Sequence, residues 1–162
     1  MQMAVRKLSL NEFDAVDYDL IAIHTSLEDY RLAYFLNQKL PILLSKSNSF
    51  VESQSINGVA FFSKFSYLVN ETEEEWHLIE NKDEIIIASN AAVNDLFSQE
   101  AESISTNVYL LPEMKKVNFF LKIENAFLPV SEIASRLNSI IHISTAYAVE
   151  VENLKSKNNL IF

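Results

Sequence analysis

One glycine in 162 residues leaves this chain very few places to turn left-handed or to bring its backbone against a phosphate. Ordinary proteins carry about 7% glycine. Phosphate-cradling loops depend on it for positive φ and for close backbone approach. With Gly58 alone, a P-loop, a dinucleotide fingerprint and a G-x-S-x-G nucleophile elbow are all excluded. The same residue gives the strongest turn signal in the chain. Asn57-Gly58 sits between two extended runs and predicts a hairpin closed by a type I′ turn.

The rest of the composition describes a chain that folds without staples. It is 49% hydrophobic, with eleven Phe, six Tyr and one Trp for the core. A single domain of this length buries about two thirds of its unfolded surface, so it needs neither disulfide nor metal. The absence of cysteine excludes a disulfide framework, thiolate catalysis and cysteine zinc sites. It fits a reducing compartment. Met1 to Leu10 carries Arg6 and Lys7 with no apolar run after them, which is not a secretory signal. No stretch approaches the roughly 18 apolar residues of a membrane span. The expectation is a cytoplasmic protein. A net charge of −9, with Arg6, Arg31 and Arg136 the only arginines, disfavours nucleic-acid binding. Lys115-Lys116 and Lys155/Lys157 read as solvated surface pairs.

Hydrophobic periodicity orders the elements. Ala4–Leu10 alternates as an edge strand, and Tyr18–His24 reads as a buried strand. Ser26 is placed to cap a helix, with Asp29 three residues on, and Pro41 stops it. Leu27, Tyr30, Ala33, Tyr34, Leu36 and Leu40 form its apolar stripe, and Glu28 and Arg31 are spaced to pair. Ile42–Ile56 is extended up to the Asn57-Gly58 turn. Val59–Val69 follows as one strand with Phe on both faces. Asn70–Glu75 is an acidic loop, Trp76–Glu80 a strand, Asn81–Asp83 a turn and Glu84–Ala88 a strand. A short helix around Ala91–Phe97 and a polar run over Ser98–Thr106 come next. Val108–Leu111 and Val117–Glu124 are further strands. Pro129 opens a second helix with Val130, Ile133, Leu137, Ile140 and Ile141 at helical spacing, and Ala146–Val151 closes as a strand. The predicted fold class is α+β: a mixed, mostly antiparallel sheet, two main helices packed on one face, and a strand–helix–strand unit near each end. Residues 1–154 form a single domain. The tail 155–162 packs on it.

Chemistry-bearing residues are few. His24, His77 and His142 have no metal ligand at i+3 or i+4, so no metal site is predicted, and no cofactor. His24 ends a strand before a helix start, which makes His24, Ser26 and Arg31 the candidate ligand-binding group. Glu71, Glu73, Glu74 and Glu75 cluster without the glycine turn of a calcium loop, and read as a solvated loop. Leu160, Ile161 and Phe162 end a basic, Asn-rich tail. They either pack back or dock on a partner, and are the candidate interaction residues.

Three segments together resemble the IPExxxVDY family of Bacteroidetes, a family without an assigned activity. The defining stretch is Leu111-Pro112-Glu113-Met114-Lys115-Lys116-Val117-Asn118-Phe119. His24 to Tyr34 and Leu154 to Phe162 support it, so the likeness spans nearly the whole chain. It marks Pro112, Glu113 and Val117 as motif residues. Asn118 and Phe119 stand where the family motif has Asp and Tyr. Asn cannot act as a general base and Phe has no hydroxyl, so catalysis by those two groups is not implied. Separately, Phe119–Glu124, the helix to Ile141 and Ala146–Val151 resemble the strand–helix–strand half of ACT-type ferredoxin-like domains. That likeness implies dimerisation and ligand binding near strand–helix turns, although the glycines common in such turns are absent.

Two functional expectations follow. The leading one is a non-enzymatic interaction or regulatory module, with a homodimer or protein partner. The alternative is a small-ligand sensor or enzyme with its site at the His24–Ser26 junction.

Overall fold

The computed structural model describes residues 16–88 and 103–162. The strand expected over 4–10 and the helix expected over 91–97 lie outside the described residues. The protein is α+β. Its main sheet has six strands in the order β10-β1-β9-β6-β5-β2, and every pairing is antiparallel. These strands are β1 (Tyr18–Thr25), β2 (Ser45–Lys46), β5 (Lys64–Val69), β6 (Glu74–Glu80), β9 (Phe119–Glu124) and β10 (Ile143–Ala148). Among the described residues two further sheets have two strands each: β3 (Val51–Ser55) with β4 (Gly58–Phe62), and β7 (Lys82–Ala88) with β8 (Ser103–Tyr109). The α-helices among the described residues are α1 (Asp29–Lys39) and α2 (Val130–Asn138). In the second strand–helix–strand unit, β9 and β10 are separated by β1, which runs antiparallel to both.

Strand alternation sorts the central strands into two cores. Ile21, Ile23, Trp76, Leu78, Phe119, Leu121 and Ile123 meet the helices through Leu32, Ala33, Leu36, Ile133 and Leu137. On the opposite face Leu20, Ala22, Ile79 and Phe120 pack against Val51, Ala60 and Phe62, residues 110–111, Val117, Val151 and Leu160. Both faces are therefore covered, which explains why these strands read as nearly continuous apolar runs.

Each helix is fastened to the chain after it by an asparagine that imitates a backbone pair. Asn37 donates to the Leu44 carbonyl and accepts from its N–H at 3.0 and 2.8 Å. Asn138 does the same with Ala146, both at 2.8 Å.

Several boundaries differ from the sequence reading. Helix α1 starts at Asp29 with Glu28 at its N-cap and no side-chain cap bond, so Ser26 does not cap it. Thr25 takes the local role instead, its Oγ1 accepting the Leu27 N–H at 3.1 Å. The buried arc of α1 is Leu32, Ala33 and Leu36, which leaves Tyr30 and Tyr34 about 60% exposed. Arg31 has no ion pair with Glu28 among the described residues. Ile141 is likewise outside the core. The Asn57-Gly58 hairpin forms, but Ser55 pairs with Gly58 across Ile56 and Asn57. Neither Ile56 nor Asn57 has positive φ, which within the hairpin falls only on Gly58 at 132°, so the turn is not type I′. Val59–Val69 breaks at Ser63 into β4 and β5 of different sheets. Strand β8 begins at Ser103, within the run read as polar, and β10 begins at Ile143, three residues before the predicted start.

Candidate functional site

The segment 111–118 is the structural centre of the candidate site, and a buried asparagine holds it. Asn81 is fully buried between β6 and β7. Its Nδ2 donates to the Met114 and Val117 carbonyls at 3.0 and 2.8 Å, and its Oδ1 accepts the Leu111 N–H at 3.0 Å. Its main chain bonds Asn118 and Leu110 as well. Every hydrogen-bonding group of Asn81 is thus engaged, where the sequence reading saw only a turn. Asn118 then joins the segment to the end of β1: its Oδ1 accepts the Thr25 N–H at 2.9 Å. That bond asks only for an acceptor, which Asp or Asn both supply. Phe119 is buried in the helix-side core.

Glu113 faces the tail. Its Oε1 accepts the Ser156 N–H at 2.8 Å. Partial burial raises the Glu113 carboxyl, but the backbone N–H groups bonded to it outweigh this and hold it below the usual carboxylate range.

Two hollows flank this segment. One, about 350 Å³, is lined by His24, Tyr147 and residues Pro112 to Val117. The other, about 380 Å³, is lined by Thr25, Ser26, Leu27, Glu80, Lys82 and Tyr109 together with Lys115, Val117, Asn118 and Phe119. Lys115 and Val117 contribute to both. His24 and Tyr147 project from adjacent strands on the helix-free face. Their rings stack at 5.7 Å with planes 27° apart, and His24 Nε2 lies 3.1 Å from the Tyr147 hydroxyl. In the second hollow, burial raises the Glu80 carboxyl, with Asp29 adding to the effect. A third hollow, about 530 Å³, lies at the opposite end of β1 and offers the acidic side chains Asp19, Glu150 and Glu152 with no cationic partner in its lining.

The structure therefore divides the predicted ligand group. His24 lines the first hollow, Ser26 the second, and Arg31 neither. Tyr147 and Lys115 were missed. Only the β1–β10 register brings Tyr147 to His24, across 123 positions of sequence.

The tail is docked. Leu160 is fully buried in the second core, its carbonyl accepts from Lys122 Nζ at 2.8 Å, and Asn159 donates to the Leu110 carbonyl at 2.8 Å. Of the candidate interaction residues, Leu160 packs back into the domain's own core. Ile161 remains 75% exposed and Phe162 is half-exposed. Glu74 and Glu75 do not belong to a solvated loop. They lie in β6, with Glu74 accepting from Trp76 Nε1 at 2.8 Å and Glu75 Oε1 2.6 Å from His77 Nε2.

His77 gives a pH prediction. Burial lowers its pKa from the ordinary 6.5, with Lys64 and Lys122 adding to this and Glu75 opposing it. Below about 6.5 the unfolded chain takes up a proton that the folded chain resists, so stability falls as pH drops through that point. Urea titrations at about pH 7 and pH 5.5 should show a loss in the wild type that is smaller in His77→Gln. An equal loss in both would place the pH dependence elsewhere.

Among the described residues no cluster of three or more metal-ligating side chains occurs, and no helix is long and apolar enough to cross a membrane. No protein-family model, curated protein or solved structure matches the chain.

Proposed function

We propose that the protein is a regulatory module that senses a small ligand in the His24–Tyr147 hollow. The observation that carries this reading is the stacked, hydrogen-bonded ring pair, which walls an apolar space beside Pro112, Met114 and Val117. At about 350 Å³ the space falls within the range of small-molecule sites, which are mostly apolar with a few placed polar groups. Lys115 and Lys116 supply positive charge at its rim in a chain of net charge −9. The ligand class this favours is a small aromatic or aliphatic carboxylate. Tail and hollow are linked, because Glu113 lines the hollow and holds Ser156. Occupancy would thereby bias the tail, which is the regulatory element of the reading.

Benzoate and longer aryl carboxylates are the probes. At a hundred times Kd a ligand adds about 2.7 kcal/mol, a rise of roughly 5–10 °C in Tm for a domain of this size. His24→Ala should remove that rise while leaving the unliganded Tm within about 2 °C, since the ring is only partly buried and lies outside both cores. If His24→Ala melts the domain instead, the residue is structural and the site reading fails.

A second reading keeps the exposed Ile161 in view. It makes the docked tail a contact for a protein partner or a second copy. In that case Ile161→Ser weakens assembly without changing Tm. Membership of the IPExxxVDY family and a cytoplasmic location belong to the same proposal. They are supported by the segment 111–119, clasped as one unit by Asn81, and by the absence of cysteine.

A further inference from the structure

The helix-free face carries a second polar cluster, separate from the ligand hollow. Alternation places Lys64 and Ser66 of β5, Glu75 and His77 of β6, and Lys122 and Glu124 of β9 on this face. The register sets Ser66 opposite His77, and His77 opposite Lys122. The imidazole of His77 lies between two partners, with Nδ1 2.8 Å from Ser66 Oγ and Nε2 2.6 Å from Glu75 Oε1. An ionised carboxylate can only accept, so in the neutral ring Nε2 carries the proton and Nδ1 accepts from the Ser66 hydroxyl. Nucleophile, base and orienting carboxylate stand in the order that activates a serine, with the two ring nitrogens exchanged relative to the familiar triad.

We propose that Ser66 and His77 form a covered site for hydrolysis of small carboxylic esters, with Glu75 as positioning residue and Phe162 as the cover. Ser66 Oγ attacks the ester carbonyl carbon and its proton passes to His77 Nδ1. The carbon–oxygen bond to the alcohol breaks, and the alcohol leaves with that proton. Water then gives a proton to Nδ1 and attacks the acyl-serine, releasing the acid and restoring Ser66. The Phe162 ring fills the reaction space. It lies 5.2 Å from the His77 ring, and 4.9 and 4.4 Å from Lys64 Nζ and Lys122 Nζ. Withdrawal of the ring leaves a phenyl-sized slot beside His77 with two ammonium groups facing it, the charge a developing oxyanion requires. Phe162 is 45% exposed, so it can leave without opening the core.

The test uses the full chain and a fluorophosphonate probe, read by intact mass and peptide mapping. The expected adduct is on Ser66. Phe162→Ala should label about tenfold faster, because the rate follows the open fraction. His77→Gln should slow labelling of the Phe162→Ala chain by about 100-fold, the usual contribution of a general base. Glu75→Gln should move the pH midpoint of labelling downward, since Glu75 favours the charged ring while Lys64 of β5 and Lys122 of β9 oppose it, with Glu124 of β9 paired to Lys122 and the Tyr18 ring of β1 against Lys122. Phe162→Leu, run in parallel, keeps an apolar side chain there if alanine disturbs the fold. Absence of a Ser66 adduct in a folded Phe162 variant, or labelling indifferent to His77→Gln, would overturn the proposal.

Discussion

Replacing Asn81 with leucine is expected to destabilise the protein by about 3–5 kcal/mol, the largest single effect in the molecule's polar interior. The side chain is nearly the size of leucine, so the loss is not a cavity. It is the desolvation of what remains. The Val117 carbonyl and the Leu111 N–H are buried bonds, and the Met114 carbonyl is partly so. Each unsatisfied group costs about 1–3 kcal/mol, with water relieving the outermost. In a chain of this size that is a Tm loss of roughly 10 °C. The local consequence is sharper. Residues 111–118 lose their clasp, so both hollows should disappear with it. Urea denaturation gives the first number, and hydrogen exchange at Leu111 and Val117 the second. A loss under about 1 kcal/mol would show that the segment is held by something other than Asn81.

Leu160→Ala should cost about 2–4 kcal/mol, because the side chain is fully buried and cannot be replaced by water without leaving a void. Its neighbour sets the control. Ile161 is 75% exposed, and Ile161→Ala should stay within about 0.5 kcal/mol. The pair separates anchoring from docking within two adjacent residues. Loosening should spread outward, since the Lys122 bond to the Leu160 carbonyl and the Glu113 bond to Ser156 depend on the same anchor. Limited proteolysis after Lys155 or Lys157 should therefore be faster in Leu160→Ala and unchanged in Ile161→Ala. Equal behaviour of the two variants would mean that the tail is not a structural part of the domain.

Sequence periodicity carried the fold class because apolar alternation survives without neighbours. Tyr18–His24 and Trp76–Glu80 lie within β1 and β6, and a hairpin forms at Asn57, one residue out of its expected register. Periodicity failed where a partner decides. Tyr30 and Tyr34 satisfy the helical spacing but lie outside the arc that meets the sheet. Val59–Val69 alternates without interruption, yet Ser63 divides it between two sheets. The site was legible only in part. His24 was visible as a polar residue ending an apolar strand. Tyr147 and the Ser66–His77 pair need strand register, which single-strand patterns do not encode. One clue was available: Glu75 and His77 are two apart, so any strand through them puts both on one face. Asn81 gave no local signal, because its five bonds reach residues about 30 positions or more away.

The most direct test of the ligand-sensing account is native mass spectrometry of the gently purified protein, wild type beside His24→Ala. The account predicts a stoichiometric small added mass on the wild type, displaced by excess aryl carboxylate and missing from a folded His24→Ala chain. A wild type that carries no small molecule, and binds no carboxylate probe when challenged, would contradict it.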